Sequence, residues 1–599
     1  MNYKHIDSYV DKTAPYMPLH RGTYELEVPV GNRKRRMLAY IPAGFRPAGK
    51  GVLIIPGNHT TADDVLQKSW WRILTDTDDS FGQFMLLIVE AEETWNTKEP
   101  YGKMDGDVAY LEAAFDVARK RYLFCIHESK FYLAGFGEGG VLAQMEAMYN
   151  PAVWSGLVAV GNDGVEEEYQ KRASEDYALN LGWFEDPQHK KGICKGEIPM
   201  PVWLVHDPLC TVGCESTKAY WKYANGITNA DPVIQIGYDV VQYMRGTEPA
   251  YNLNRQKEAY VVNVSSREGA ADQFGNLLLG QIKSFLFGHQ RWMGNAGGDL
   301  RMSHDFIREP GWKYHYYNIG GWMREWMVYT PKRITEHPEV AAPVVFAMHG
   351  YTNTCYDYAG HTEWYRVADR YGFIVVHPTA VPGELMAKNE FCDPENEPLP
   401  AWNYSGKAVP EGPNELEFFR IMLDQVSADY HIDPQRIYIT GHSHGSQMTH
   451  TLALEMTEVF AAAAPCSGVL FRSLQQYIPD FPEVQNRKEC EIPVWMFGGS
   501  EEEFLLNKDP SDDNETGESI RYWCEVNHMN SPADWSEGWT VKNKRWHDYI
   551  LKNKDGAPMV GFTWLDYMPH ATMPEMSFRI WEEFFSHFKR VNGKIEYSE

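Results

Sequence analysis

The chain repeats one order of apolar segments at an interval of about three hundred residues, and this repeat most constrains its fold. The first half runs from RRMLAYIPAGF through GVLIIPG, FMLLIVEA, KFYLAG and MPVWLVHD, and the second from REWMVYTPKR through PVVFAMHG, GFIVVHP, RIYITG and IPVWMFGG. Corresponding points stay a nearly constant distance apart: residues 57 and 350 differ by 293, 137 and 443 by 306, and 201 and 493 by 292. A period this long predicts duplication of a whole domain.

Within each half, short β-branched runs alternate with amphipathic helical patterns such as DVAYLEAAFDVARKRY and ELEFFRIMLDQVSADY. This alternation predicts parallel strands that are joined by crossover helices and buried on both faces. A chain of 599 residues also exceeds what one hydrophobic core usually supports. We therefore expect an α/β protein with two tandem domains, 1–295 and 296–599, divided within the stretch GHQRWMGNAGGDLRMSHDF.

Composition restricts the partners and the location. Aspartate and glutamate number 82 against 56 lysines and arginines, a formal net charge of −26, and no basic run could follow a phosphate backbone, so nucleic acid is not expected to bind. Neither an apolar signal region near the N-terminus nor a stretch of 18 apolar residues occurs, so no membrane association is expected. The nine cysteines are scattered without a CxxC pair, which favours reduced thiols and a cytoplasmic location.

The segment ITGHSHGSQMTH places Ser443 between Gly441 and Gly445 in the pattern Gly-x-Ser-x-Gly. It follows the β-branched run RIYIT and precedes apolar residues that repeat every four positions, as on one face of a helix. A serine at such a strand-to-helix turn is held in a strained conformation that exposes its hydroxyl. The pattern therefore predicts a nucleophile, and the backbone N–H of His444 at the helix start is expected to help bind an oxyanion.

Three segments of the second half, MHGYTN, YHIDPQRIYITGHSHGSQMT and VFAAAAPCSG, resemble the α/β-hydrolase superfamily. Within it, they are similar to the esterases related to polyhydroxybutyrate depolymerases and feruloyl esterases. The resemblance covers most of residues 320–590. It implies two α/β-hydrolase domains in the chain and a His-Gly oxyanion loop in the second, where the backbone N–H of Tyr351 would be the second oxyanion donor, with Thr352 as the alternative.

A serine esterase also needs a carboxylate that orients its histidine. In the resembled family the acid follows a late strand, and here the strand-like IPVWMFGG precedes three consecutive glutamates. The family's spacing, counted from Gly499, selects Glu502, although the family usually has aspartate at this position. Glu501 and Glu503 therefore remain alternatives.

The general base is expected in the loop YMPHATMPEM, where His570 stands at the position of the family's catalytic histidine. Neutral His570 would take the proton of Ser443 as its hydroxyl attacks an ester, so activity is expected to fall at acid pH. The chain has no cluster with metal-ligand spacing, and neither a metal nor an organic cofactor is expected. Three other histidines are weaker candidates for the base: His528, His547 and His587.

The first half has lost each of these functions. Gly137 stands where the second half has Ser443, and an ungapped match places Cys210 opposite Glu502. No histidine occurs between residues 208 and 288. We therefore expect a degenerate, non-catalytic domain that is retained for structure, for covering the active site, for oligomerisation or for substrate selection.

The expected substrate is a small soluble carboxylic ester with an aromatic, hydroxycinnamate-like or carbohydrate-linked acyl group. Trp402, in PAWNYSG, and Trp523, in a Trp-rich insertion before the candidate histidine, are candidate substrate contacts. The alternative for both is packing between the two domains. Two other functions stay open: a binding or scaffold protein built on two hydrolase folds, and an acyltransferase or amidase that uses the same residues.

Overall fold

The computed structural model divides the chain into two compact units, Met1–Phe306 and Ile307–Glu599. The boundary expected from the sequence, residue 295, lies outside the described residues and stays a prediction. No helix in the described part is both long enough and apolar enough to span a membrane. The residues that the structure describes are 3–10, 20–46, 49–79, 82–119, 126–161, 164–178, 193–208, 213–246, 260–269, 272–291, 302–303, 310–351, 353–383, 399–403, 412–468, 470, 490–500, 502, 509–532, 534–535, 539–542, 545–566, 568 and 570–599.

The first unit is built on one large sheet with strand order β1-β2-β3-β5-β4-β6-β7-β8-β11-β10-β9. A separate two-stranded sheet pairs β12 with β13. The strands are β1 (Tyr3–Val10), β2 (His20–Val30), β3 (Arg33–Ile41), β4 (Gly49–Ile55), β5 (Phe84–Val89), β6 (Ile126–Phe136), β7 (Gly156–Val160), β8 (Val202–His206), β9 (Val233–Ile236), β10 (Val240–Met244), β11 (Val261–Ser266), β12 (Gln290–Arg291) and β13 (Met302–Ser303).

The second unit holds a sheet of order β14-β15-β17-β16-β20-β21-β22-β25-β24-β23, with two further strand pairs, β18-β19 and β26-β27. Its strands are β14 (Trp312–Ile319), β15 (Trp322–Tyr329), β16 (Ala342–Met348), β17 (Ile374–Thr379), β18 (Pro382–Gly383), β19 (Leu399–Pro400), β20 (Ile432–His442), β21 (Ala462–Cys466), β22 (Val494–Gly499), β23 (Trp539–Lys542), β24 (Trp546–Lys552), β25 (Pro558–Leu565), β26 (Phe588–Val591) and β27 (Lys594–Tyr597).

Helices connect the strands of both sheets. In the first unit they are α1 (Ala62–Lys68), α2 (Trp71–Asp76), α3 (Asp107–Arg119), α4 (Glu138–Tyr149), α5 (Glu167–Glu175), α6 (Cys214–Ala224) and α7 (Leu279–Phe287). In the second unit they are α8 (Lys332–Glu336), α9 (Cys355–Thr362), α10 (Trp364–Tyr371), α11 (Glu415–Asp429), α12 (His444–Glu455), α13 (Glu515–Val526) and α14 (Pro574–Glu583).

The two sheets share one strand order, except that β1 at the edge of the first sheet has no counterpart in the second. Six central strands of each are parallel, in the order β5-β4-β6-β7-β8-β11 and β17-β16-β20-β21-β22-β25. The register agrees as well, because Ile55 pairs with Gly135 in the first unit and Met348 with Gly441 in the second. These pairs keep the spacings of 293 and 306 residues that the sequence repeat predicts. The predicted α/β fold with mostly parallel sheets is confirmed.

Burial explains why the central strands could be predicted. Strand β16 is buried at every residue and β4 at all but its first, as expected for strands covered by helices on both faces. The edges differ, because antiparallel strands extend both sheets: β14 and β15 flank one side of the second sheet, and β24 and β23 the other. The sequence segment REWMVY, expected among the parallel strands, instead forms the mostly buried antiparallel strand β15. Strands β14 and β23 were not predicted, because their residues are largely exposed or half-buried and lack a continuous apolar run.

Candidate active site

The turn at Ser443 joins β20 to α12 in a conformation that few residues other than glycine adopt. Its backbone has φ 54° and ψ −114°, in the positive-φ region. A Cβ at Gly441 would collide with the backbone oxygen of Gly445, and one at Gly445 with that of Met348. Both flanking glycines therefore let the strand, the helix and β16 approach closely, and this packing holds the serine in its strained position.

The structure brings together the three residues that the sequence selects as nucleophile, base and acid. His570 Nε2 lies 2.7 Å from Ser443 Oγ, and His570 Nδ1 lies 3.0 Å from Glu502 Oε2. The Glu502 side chain is 1% exposed, whereas that of His570 is 28% exposed. A buried carboxylate thus orients a histidine whose other nitrogen faces the serine hydroxyl, the arrangement needed to activate that hydroxyl.

The second carboxylate oxygen of Glu502 has its own partners. Oε1 accepts hydrogen bonds from the backbone N–H of Gly499 and from the hydroxyl of Ser467, each at 2.8 Å. Ser467 is buried and has φ 55°. Sequence reasoning missed this serine. The available signal was its place directly after β21, because the carboxyl ends of neighbouring parallel strands meet at one edge of a sheet.

The loop after β16 carries the predicted oxyanion donor Tyr351, whose ring centroid lies 6.1 Å from that of His444. The loop is fixed by buried His349, whose Nε2 accepts from the N–H of Ala380 at 2.9 Å. Burial lowers the pKa of His349 to about 3, so the ring is neutral near pH 7. Its Nδ1–H then donates to the Gly350 carbonyl at 2.6 Å. Three predicted alternatives lie outside the described residues: Thr352, Glu501 and Glu503.

The two tryptophans predicted as substrate contacts are fully buried. Trp402 donates its indole N–H to the carbonyl of His349 at 2.8 Å, and Trp523 stacks on His450 with ring centroids 5.7 Å apart. These partners all belong to the second unit. Contact of either tryptophan with a substrate stays a prediction, while the hydrogen bond of Trp402 gives it a place in the framework of the site.

The weaker candidates for the base have other partners. His547 Nε2 lies 2.8 Å from Asp566 Oδ2, and His587 contacts backbone oxygens of Glu582 and Ser598. His528 lies in the turn after α13, two residues beyond Val526, with φ 52°. Within the described ranges no three His, Cys, Asp or Glu side chains converge as metal ligands would.

The corresponding turn of the first unit keeps the backbone of the elbow without its side chains. Gly137 has φ 54° and ψ −128°, close to the angles of Ser443. The Glu138 carboxylate accepts a hydrogen bond from the N–H of Asn58 at 3.1 Å, and the repeat makes Asn58 equivalent to Tyr351. The strand registers make Ser266 equivalent to Trp564, and an ungapped count from this pair aligns Asp272 with His570 in sequence. Residue 210 lies outside the described part.

Residues 337–496 match the family model described as Esterase PHB depolymerase. This matched range lies within the second unit. The family resemblance predicted from the sequence is therefore confirmed, and the matched range includes the loop after β16, the turn at Ser443 and the first three residues of β22.

Curated relatives share about a quarter of the aligned residues with this chain. It is 26% identical over 252 residues to poly(3-hydroxyalkanoate) depolymerase C of Paucimonas lemoignei, and this alignment covers 39% of this chain and 55% of that protein. It is 26% identical over 147 residues to feruloyl esterase B of Talaromyces funiculosus, covering 24% of this chain and 37% of that protein. The chain thus spans about half or less of these relatives. A solved acetyl xylan esterase from Aspergillus awamori aligns at 16% identity and a TM-score of 0.32, over 46% of this chain and 99% of that chain.

Proposed function

We propose that the chain is a serine esterase whose second unit hydrolyses a carboxylic ester through Ser443, His570 and Glu502. The observation that carries the proposal is the pair of hydrogen bonds at 2.7 Å and 3.0 Å that link the serine of a strained elbow to a histidine and a buried carboxylate. The matching family model and the relative from Talaromyces funiculosus both carry esterase names, which agree with this chemistry.

In the first half of the reaction, His570 Nε2 takes the hydroxyl proton of Ser443 as Oγ attacks the ester carbonyl carbon. Glu502 stabilises the positive charge that forms on the ring. The tetrahedral oxyanion accepts hydrogen bonds from the backbone N–H groups of Tyr351 and His444. When the intermediate collapses, the alcohol leaves with the proton from Nε2, and the acyl group stays on Oγ.

Water completes the cycle by the same steps. His570 Nε2 takes a proton from a water molecule, whose oxygen attacks the acyl carbonyl, and the second tetrahedral intermediate expels Ser443 Oγ as this oxygen regains its proton. The carboxylic acid is then released. An acyltransferase would differ only in using another alcohol instead of water in this second half.

The substrate class proposed is a small soluble ester with an aromatic or carbohydrate-linked acyl group. Support comes from relatives named feruloyl esterase and acetylxylan esterase. The depolymerase among the relatives makes a hydroxyalkanoate oligomer the natural competitor. Initial rates with methyl ferulate, acetylated xylo-oligosaccharides and a hydroxybutyrate trimer would rank the three, and a higher kcat/KM for the trimer would contradict this choice.

The experiment that tests the proposed function is labelling with a fluorophosphonate, followed by peptide mass spectrometry and by hydrolysis of nitrophenyl acetate. We expect one label per chain, on Ser443, with loss of hydrolysis in proportion to labelling. Hydrolysis that survives complete labelling of Ser443, or a label on a different serine, would contradict the proposal. Absence of both labelling and hydrolysis across an ester panel would favour the binding-protein alternative.

The first unit is proposed to be a non-catalytic copy that arose by duplication. This proposal is supported by the shared strand order, by glycine at the elbow and by the Glu138 carboxylate that already accepts from the N–H of Asn58. An oxyanion in the first unit would compete with this internal carboxylate. We therefore expect the fluorophosphonate to label no serine in the first unit.

Ser467 is expected to raise activity by fixing the acid. Ser467→Ala removes one of the two hydrogen bonds to Glu502 Oε1 while leaving the N–H of Gly499 in place. Hydrogen bonds to charged groups contribute about 1.5–3 kcal/mol, so we expect kcat to fall about tenfold or more with little change in KM. Steady-state kinetics with nitrophenyl acetate checks this, and unchanged kcat in a folded variant would refute it. Ser467→Gly, which also lacks the hydroxyl but suits the positive φ, should lose as much.

A further inference from the structure

We propose that Trp402 is a positioning residue that holds the oxyanion loop in place, an inference that rests on the proposed esterase function. Its side chain is fully buried, and its indole Nε1–H donates to the carbonyl of His349 at 2.8 Å. Its backbone N–H donates to His444 Nδ1 at 3.0 Å. One residue thus bonds to both segments that supply the proposed oxyanion donors, the loop after β16 and the start of α12.

The hydrogen bond from Trp402 to the loop lies next to the peptide group between Gly350 and Tyr351, which carries the proposed oxyanion donor. The N–H of Tyr351 belongs to the same peptide plane as the Gly350 carbonyl, and this carbonyl accepts from His349 Nδ1. Trp402 fixes the preceding carbonyl, that of His349 itself. Two consecutive carbonyls are therefore held, so the N–H of Tyr351 is fixed in direction before a substrate arrives. An oxyanion donor that needs no reorientation stabilises the transition state at no further cost.

The segment that carries Trp402 is itself anchored through the next residue, Asn403. The N–H of Asn403 donates to Glu415 Oε1 at 3.2 Å, and Glu415 Oε2 accepts from Arg324 at 2.6 Å. The side chains of this ion pair are 1% and 2% exposed. Loss of either charge would leave the other buried and unpaired, which is costly. The tryptophan therefore bonds to the oxyanion segments from a rigid base.

A tryptophan of the first unit helps to distinguish a positioning role from contact with a substrate. There the indole N–H of Trp95 donates to the carbonyl of Pro56 at 2.6 Å, and the repeat makes Pro56 equivalent to His349. Trp95 is likewise buried, at 4% exposure. This unit has no serine at its elbow, yet it keeps an indole on the same carbonyl. Holding the loop is thus a use of the indole that does not depend on an ester being bound.

The test compares Trp402→Phe with Trp95→Phe in the full chain. Both changes remove one buried indole donor from an equivalent carbonyl, but only the first lies in the unit with Ser443. For nitrophenyl acetate we expect Trp402→Phe to lower kcat about tenfold to a hundredfold, with KM within about twofold, because a loosened donor acts in the transition state. Affinity for a boronic acid that forms a tetrahedral adduct with Ser443 should fall in parallel. Trp95→Phe should leave kcat and KM unchanged and lower the melting temperature.

Several outcomes would overturn the inference. Unchanged kcat in folded Trp402→Phe would overturn it. If KM rises while kcat is unchanged, Trp402 contacts the substrate, as predicted from the sequence, and does not position the oxyanion loop. If the phenylalanine variant does not fold, 3-benzothienylalanine at position 402 keeps the shape of the ring and removes only the donor, with the same loss of kcat expected. A wild-type chain that neither hydrolyses esters nor is labelled at Ser443 would refute the proposed function itself, whatever the variants do.

Discussion

Replacing Ser443 with alanine is expected to lower kcat for ester hydrolysis by about a thousandfold to a millionfold. The change removes the oxygen that forms the acyl-enzyme, while the oxyanion donors and the binding surface remain. Alanine has one atom fewer than serine, so the elbow should keep its backbone. Burst-phase and steady-state kinetics with nitrophenyl acetate measure the loss, and circular dichroism confirms that the variant is folded. Retention of more than a tenth of wild-type kcat would show that another group is the nucleophile.

The first unit offers a matched control for this variant. A Cβ at Gly137 would meet no atom closer than 3.6 Å, and the backbone there already has the angles of the elbow. Adding Gly137→Ser to the Ser443→Ala chain therefore restores a serine at a second elbow. We expect no recovery of hydrolysis, because the carboxylate of Glu138 bonds to the N–H of Asn58 and no histidine occurs between residues 208 and 288.

Acidification is expected to destabilise the second unit strongly. In the unfolded chain a histidine titrates near pH 6.5. Five buried histidines of the second unit have a far lower pKa in the folded state, because burial disfavours the charged ring. The unfolded state therefore binds more protons below pH 6.5, and the free energy of unfolding falls as the pH is lowered. At pH 5.5 each such histidine costs about 1.4 kcal/mol, and five cost about 7 kcal/mol, comparable to the whole stability of many domains. Burial lowers the pKa to about 3 or about 4 in His349, His361, His377, His444 and His450.

Urea unfolding followed by tryptophan fluorescence at pH 7.5, 6.5 and 5.5 measures this effect. We expect the urea concentration at the midpoint of unfolding to fall steeply between pH 6.5 and pH 5.5. His450→Gln should reduce the slope of unfolding free energy against pH by about one proton, or about 1.4 kcal/mol per pH unit. Replacing His337, whose side chain is exposed, is the control for the loss of a histidine as such. A midpoint that does not move between pH 7.5 and 5.5 would contradict the prediction.

The elbow and the histidine could be located from the sequence because their signals are local. Gly441 and Gly445 flank the serine, and a β-branched run and a helical pattern identify the turn as strand to helix. His570 follows in a loop before the last amphipathic helix, as the resemblance implies. The central strands could be predicted for a similar reason, since strands buried on both faces leave continuous apolar runs.

Other features depend on contacts between residues that are far apart in the chain. Ser467 bonds to a carboxylate 35 residues away, and Trp402 to a carbonyl 53 residues away. No pattern within either segment specifies these partners, since a serine after a strand and a tryptophan in a loop are both common. Among the three glutamates only the family's spacing favoured Glu502, because consecutive residues in a loop carry no periodicity that distinguishes their directions.

The hydrogen bond between Glu138 and the N–H of Asn58 sets how many changes a protein engineer would need to install ester chemistry in the first unit. A serine at residue 137 alone gives a hydroxyl beside an oxyanion donor that already has an acceptor. The carboxylate at 138 must first be removed, and a histidine and an acid must then be supplied from two other loops. No one of these substitutions alone is expected to raise the rate of ester hydrolysis. Directed evolution would therefore have no improved single variant to select, and the changes must be introduced together.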